Sequence, residues 1–244
     1  TLVFLPLYLG WLIPQMQNEP FLDEKAGKEY YIQPTLGIPI IDGILNDPTW
    51  AQIIPITDFV QEDPNNMTEP TERTEVYLTY TDKSLYIGAR LYDSDPSGIV
   101  LQMGQRDDWY GVFDEMSDWL SINIDSRHDH QTGYSFAVNA SGVLSDEMVY
   151  RDEDYDSEWN AVWQAEVQMD TLGWSLEIEI PFSNLSFSKS DEFIWGINLT
   201  RFIQRKYETI TWVAFPLEVK GVVSKYGHLH NLKGIYPPSK FEFK

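Results

Sequence analysis

From Ile38 onward the chain alternates apolar and polar residues in short runs. Val76, Leu78 and Tyr80 alternate with Tyr77 and Thr79. After Thr81-Asp82-Lys83-Ser84, Leu85, Ile87, Ala89 and Leu91 alternate with Tyr86, Gly88 and Arg90. A period of two is that of a strand with one face buried, and two such runs about a short polar turn predict a hairpin. Leu120, Ile122 and Ile124 alternate with Ser121 and Asn123. Tyr134, Phe136 and Val138 follow, closed by Asn139-Ala140-Ser141-Gly142, a sequence of turn formers. Trp163, Ala165, Val167 and Met169 share one face, Asp170-Thr171-Leu172-Gly173 turns the chain, and Trp174, Leu176, Ile178 and Ile180 return it. Phe193, Trp195, Ile197 and Leu199 predict another strand, and residues 210–213 a further one.

No long helical period occurs. Short helical turns are predicted at 47–51, where Asp47 can cap and Pro48 suits the first helical position, and at 182–185. Many short strands separated by turns specify an all-β fold, an antiparallel β-sandwich of the jelly-roll or immunoglobulin-like kind. The expected layout is a signal-peptide remnant over residues 1–15, a linker over 16–35, the sandwich over 36–235 and a second linker over 236–244. The signal reading rests on the uncharged apolar run from Leu2 to Pro14, too short for a comfortable membrane span.

Composition narrows the function. Of 244 residues 43% are hydrophobic, enough to fill a core, and the formal net charge is −21. So acidic a surface repels a phosphate backbone and an anionic membrane face, which argues against nucleic acid and favours a neutral ligand or a cation held by carboxylates. The absence of Cys excludes disulfides, thiolate metal sites and a Cys nucleophile. Nine Trp and fourteen Tyr are rich for a soluble chain; sandwich cores and sheet faces use aromatics in any case, and rings left on the surface are placed to meet a ligand.

Candidate chemistry falls into four groups. Glu177 and Glu179 share a strand face, at a spacing of roughly 7 Å that suits an inverting glycosidase. Their apolar partners Leu176, Ile178 and Ile180 must face the core, so the pair reads as a solvated face rather than an acid–base pair. The four His form two pairs, His128-Asp129-His130 and His228-Leu229-His230, and neither has a motif-linked third ligand. Acidic clusters are the better metal candidates, for calcium, which takes carboxylate and loop-carbonyl oxygens: Asp93 and Asp95 end one strand, Asp114, Glu115, Asp118 and Asp125 bracket another, and Asp152, Glu153, Asp154, Asp156 and Glu158 form a run. The segment Trp109-Tyr110-Gly111-Val112-Phe113 reads as a loop whose rings stack on sugar faces.

In order, these pieces resemble carbohydrate-binding module family 9. The resemblance rests on Ile41-Asp42-Gly43-Ile44-Leu45-Asn46-Asp47-Pro48-Thr49-Trp50, the hairpin over 76–93, Asp118-Trp119-Leu120-Ser121-Ile122-Asn123-Ile124-Asp125, Gly173-Trp174-Ser175-Leu176-Glu177-Ile178-Glu179-Ile180-Pro181-Phe182, Trp195-Gly196-Ile197-Asn198 and Ser224-Lys225-Tyr226-Gly227. It implies a β-sandwich that binds sugar between two Trp rings and holds structural calcium at Asp93, Asp118 and Asp125. It departs from the family where Glu115 and Lys220 stand in place of the two sugar-binding Trp, which leaves Trp109, Tyr110 and Phe113 to take their part. The segment Ile203-Gln204-Arg205-Lys206 resembles a subgroup placed ahead of an outer-membrane region in exported bacterial envelope proteins. The leading expectation is thus a non-catalytic domain for neutral oligo- or polysaccharide. The alternatives are a docking domain beside a C-terminal outer-membrane barrel that has lost the sugar site, and part of a glycoside hydrolase.

Overall fold

A computed structural model describes residues 27–35 and 37–237. The signal remnant over 1–15 and most of the two linkers lie outside the described residues. Two sheets pack face to face. The first has nine strands: β1 (Glu29–Tyr31), β3 (Val60–Asp63), β6 (Trp119–Asp125), β7 (Gly133–Asn139), β8 (Leu144–Tyr150), β9 (Asp154–Asp156), β12 (Glu192–Ile203), β13 (Glu208–Thr211) and β14 (Gly227–Lys233). Its main path runs β1-β14-β12-β6-β7-β8-β9, with β13 bridging β12 to β3. The second contains β2 (Gln33–Pro34), β4 (Thr74–Tyr80), β5 (Ser84–Tyr92), β10 (Gln164–Asp170) and β11 (Gly173–Pro181), in the order β10-β11-β5-β4-β2.

The expected alternation sets the core. Leu120, Ile122, Ile124, Leu176, Ile178 and Ile180 are fully buried, joined between the sheets by Val76, Leu78, Ile87, Ile197 and Leu199. The β4–β5 hairpin and the Asn139–Gly142 turn form as predicted. Short 3-10 turns lie at Trp50–Gln52 and Phe182–Asn184.

Three local expectations change. The sandwich is not wholly antiparallel: β1 pairs with β14 and β2 with β4 in parallel. These strands fall inside the stretch expected as linker. Residues 29–34 instead close an edge of each sheet in turn, with Ile32 fully buried between them. The polar, irregular composition that suggests a linker is also that of a two-sided edge.

Second, Glu177 is buried rather than solvated. The 41–50 segment lies over the outer face of β11 and β5. Glu177 accepts hydrogen bonds from Trp50 Nε1 at 2.6 Å and from the backbone N–H of Asp42 and Gly43 at 2.9 and 3.0 Å. Opposite it in register stands Gly88, where a Cβ would be 2.7 Å from Leu45 Cδ2 and 3.2 Å from the Trp50 ring. A glycine is what lets the covering segment approach. Glu179 is half-buried and accepts from Ser84 Oγ, Tyr86 OH and Gln164 Nε2.

Third, Trp109–Val112 is a helical turn, α1, not open loop, capped by the Asp108 carboxylate on Gly111 N–H.

Candidate functional site

Because Leu120, Ile122 and Ile124 point inward, Ser121 and Asn123 must point outward from β6. The same alternation turns Ser135 on β7, Asn198 and Thr200 on β12, and Thr211 on β13 to that outer face, Ser135 and Thr211 being buried there. Together they floor a cleft of about 590 Å³ on the outer face of the nine-stranded sheet. The floor is built of hydroxyl and amide groups already engaged with one another: Asn123 Nδ2 donates to Ser121 Oγ at 3.2 Å, and Thr211 Oγ1 to Asn198 Oδ1 at 3.2 Å. Such groups both donate and accept, as a sugar hydroxyl does.

Two chain segments raise the walls. From α1 come Trp109 and Tyr110, with Trp119 at the base; from the β13–β14 connection come Phe215, Leu217 and Tyr226. Trp109 is fixed by its neighbours. It stacks flat on Phe113, ring centroids 5.5 Å apart and planes within 1°, and lies 5.4 Å from Trp119, which in turn stacks on Phe202 at 5.8 Å.

Of the three rings expected to meet a ligand, Trp109 and Tyr110 line the cleft, whereas Phe113 is fully buried behind Trp109. Phe113 is therefore a backing residue, not a ligand contact. The reason is the helical turn, which sends neighbouring side chains in different directions. Glu115 and Lys220 are exposed and do not line the cleft.

Sequence reasoning missed the polar floor and the acidic end of the cleft. Glu62, Glu147 and Tyr155 line it with Lys225. The cleft walls desolvate Glu147 and, with repulsion from Asp107, push its pKa up. Glu62 is raised by the same loss of solvent, partly offset by Lys225. The only sequence signal for the floor was the choice of Ser, Thr and Asn at successive outward positions of four strands.

The calcium candidates separate. Asp118 and Asp125 flank or end β6, a strand of seven residues, so roughly 20 Å parts them and one ion cannot take both. Asp125 is buried and accepts the backbone N–H groups of Arg127, Asp129 and His130 at 3.1, 3.4 and 2.9 Å, which ties down the β6–β7 loop. Asp93 and Asp118 lie at the other end, beside the wholly buried Arg201. Arg201 donates to the carbonyls of Arg73 and Tyr92 and to Thr74 Oγ1, and burial pulls its pKa down to about 10. Arg205 pairs with Asp93. Burial pushes the Asp118 carboxyl up to about 6 against the opposing pull of Val100 N–H and Arg201. One oxygen of each acid, Asp93 Oδ2 and Asp118 Oδ1, is buried without a hydrogen-bond partner among the described residues. Each is an oxygen a hard cation could take, but among the described residues no group of three or more such ligands gathers, and Arg201 and Arg205 already balance part of the charge.

No family model and no curated protein matches the sequence. Solved structures do match. A carbohydrate-binding module family 9 domain from Caldicellulosiruptor kristjanssonii in complex with cellotriose is 16% identical, aligns over 89% of this chain and 98% of its own, and has a TM-score of 0.60. A second structure of such a domain from the same organism, in complex with glucose, gives the same identity and score and is covered completely. A candidate carbohydrate-binding protein from Bacteroides uniformis is 14% identical over 84% of this chain and 99% of its own, with a TM-score of 0.63. At this identity the likeness is one of fold, and the fold of this chain is that of carbohydrate-binding module family 9.

Proposed function

We propose that this chain is a non-catalytic domain that binds a neutral oligo- or polysaccharide in the cleft on the outer face of the nine-stranded sheet. The observation that carries the reading is the cleft itself, a polar hydroxyl–amide floor beside a Trp109 ring held rigid by Phe113 and Trp119. An immobilised ring loses no rotamer freedom on binding, and stacking on a sugar face adds about 0.5–1.5 kcal/mol beyond area burial. The fold likeness to domains solved with cellotriose and glucose supports the same class of ligand. Glu62 and Glu147 accept sugar hydroxyls and repel uronic or sulfated glycans.

Structural calcium at Asp93 and Asp118 belongs to the same reading, supported by their orphaned oxygens. Export to the periplasm, outer membrane or cell surface is supported by the apolar run from Leu2 to Pro14, and a C-terminal outer-membrane barrel in the full-length protein by the subgroup resemblance. Titration calorimetry against glucose and neutral oligosaccharides tests the central claim. Saturable binding without release of product is expected. Failure of every neutral sugar at millimolar concentration overturns it in favour of a docking domain.

A further inference from the structure

The four histidines, separate pairs in the sequence, meet at one corner of the nine-stranded sheet. His128 and His130 stand on the β6–β7 loop, and His228 and His230 on one face of β14. His128 Nε2 and His228 Nδ1 share a hydrogen bond at 3.1 Å, which a metal ion would replace. Ring centroids are 4.6 Å apart for His128 and His130, 5.2 Å for His128 and His228, and 6.4 Å for His130 and His228.

We infer that His128, His130 and His228 form a binding site for a late first-row divalent metal, zinc foremost, that staples the β6–β7 loop to β14. Two imidazole nitrogens on one ion, with bonds of about 2.0–2.1 Å, stand roughly 2.9–3.4 Å apart, and their rings roughly 4.5–5.2 Å. The His128–His228 nitrogen pair and two of the three ring separations already fall in those windows. Among the described residues no three donors converge on one point; the site therefore requires the His130 ring, whose centroid is 6.4 Å from that of His228, to turn toward it on binding.

Two further observations agree. The backbone of His128 and of His130 is left-handed, φ 52° and 57°, a conformation uncommon outside glycine, and Asp125 holds it there through three loop N–H groups. His230, stacked on Tyr31 at 4.8 Å, has a buried Nε2 with no hydrogen-bond partner among the described residues, 3.9 Å from Glu29 Oε1, and stands next to the set. All donors are imidazole, which suits zinc, nickel and copper and not calcium.

The chelator-stripped chain, titrated with zinc chloride at neutral pH in excess calcium chloride to occupy surface carboxylates, is expected to bind one equivalent saturably. His128→Ala and His228→Ala are each expected to lose that binding while keeping the wild-type melting temperature in chelator. Where a variant does not fold, ring-nitrogen NMR of the wild-type chain decides: one equivalent of zinc should shift His128, His130 and His228. No saturable binding, binding that survives both variants, or unmoved ring resonances overturns the site.

Discussion

Glu177 and Trp109 show how much a single side chain depends on what lies over it. Both were read as exposed; one is sealed by the 41–50 segment and the other wedged against Phe113. Glu177→Ala leaves Trp50 Nε1 and two backbone N–H groups without an acceptor, so a loss of about 3 kcal/mol in a urea titration is expected. The same carboxyl sets a pH dependence. Burial raises its pKa above the ordinary value of 4.5 despite three N–H donors. The folded state then holds the proton more tightly than the unfolded one. Its contribution to stability is full below that value and is lost as pH rises through the raised one. Wild type should therefore lose stability relative to Glu177→Gln between about pH 4.5 and neutrality; parallel curves contradict this. Trp109→Ala is expected to weaken sugar binding at least tenfold, about 1.4 kcal/mol, and to lower stability as well, since the ring packs on Phe113 and Trp119. Phe113→Ala should instead cost about 3–5 kcal/mol of stability, as a fully buried ring does. Equal sugar affinity in wild type and Trp109→Ala would remove α1 from the site.

At the scale of elements, the covering segment and the edge strands are decided by close approach rather than by propensity. Gly88→Ala on β5 forces a methyl to 2.7 Å from Leu45, and overpacking of this kind costs about 1–3 kcal/mol. Pairing it with Leu45→Ala should recover part of that loss. A double variant no more stable than Gly88→Ala would show that the strain lies with Trp50 instead. The short strands β1 and β2 bury Ile32 and add a parallel edge to each sheet. Removing residues up to Pro34 is therefore expected to lower the melting temperature measurably, whereas a true linker could be cut without effect.

Over the whole molecule, net charge bears on the proposed calcium site. With a charge of −21 the fold repels itself, and a cation bound only by the folded state relieves this. Calcium at a hundred times its dissociation constant adds about 2.7 kcal/mol by mass action, which for a domain of this size raises the melting temperature by roughly 5–10 °C. Scanning calorimetry in calcium and then in excess chelator checks it, and identical curves would leave Asp93 and Asp118 balanced by Arg201 and Arg205 alone. Sugar binding should be insensitive to salt for a neutral glycan, while an anionic glycan should bind only as ionic strength rises and screens the repulsion.

The strands β4 to β7 and β10 to β13 and the core they build were determined by the sequence itself, because a period of two is a local property: Leu120, Ile122 and Ile124, or Leu176, Ile178 and Ile180, declare their buried face within a few residues; the short edge strands β1, β2 and β9 carry no such period. That period also fixed the outward set Ser121, Asn123, Asn198 and Thr200, but not that they would share one floor, since this needs β12 beside β6. Which outward face is open was equally beyond local pattern. The face holding Glu177 is closed by a segment more than a hundred residues earlier, and the face holding Asn123 is left concave. The histidines mark the limit most clearly. Each pair alone lacks a third ligand, and only the tertiary structure brings His128 to His228 across a hundred residues of chain, because loop closure over that distance is decided by the packing of two sheets and by nothing in the neighbouring sequence.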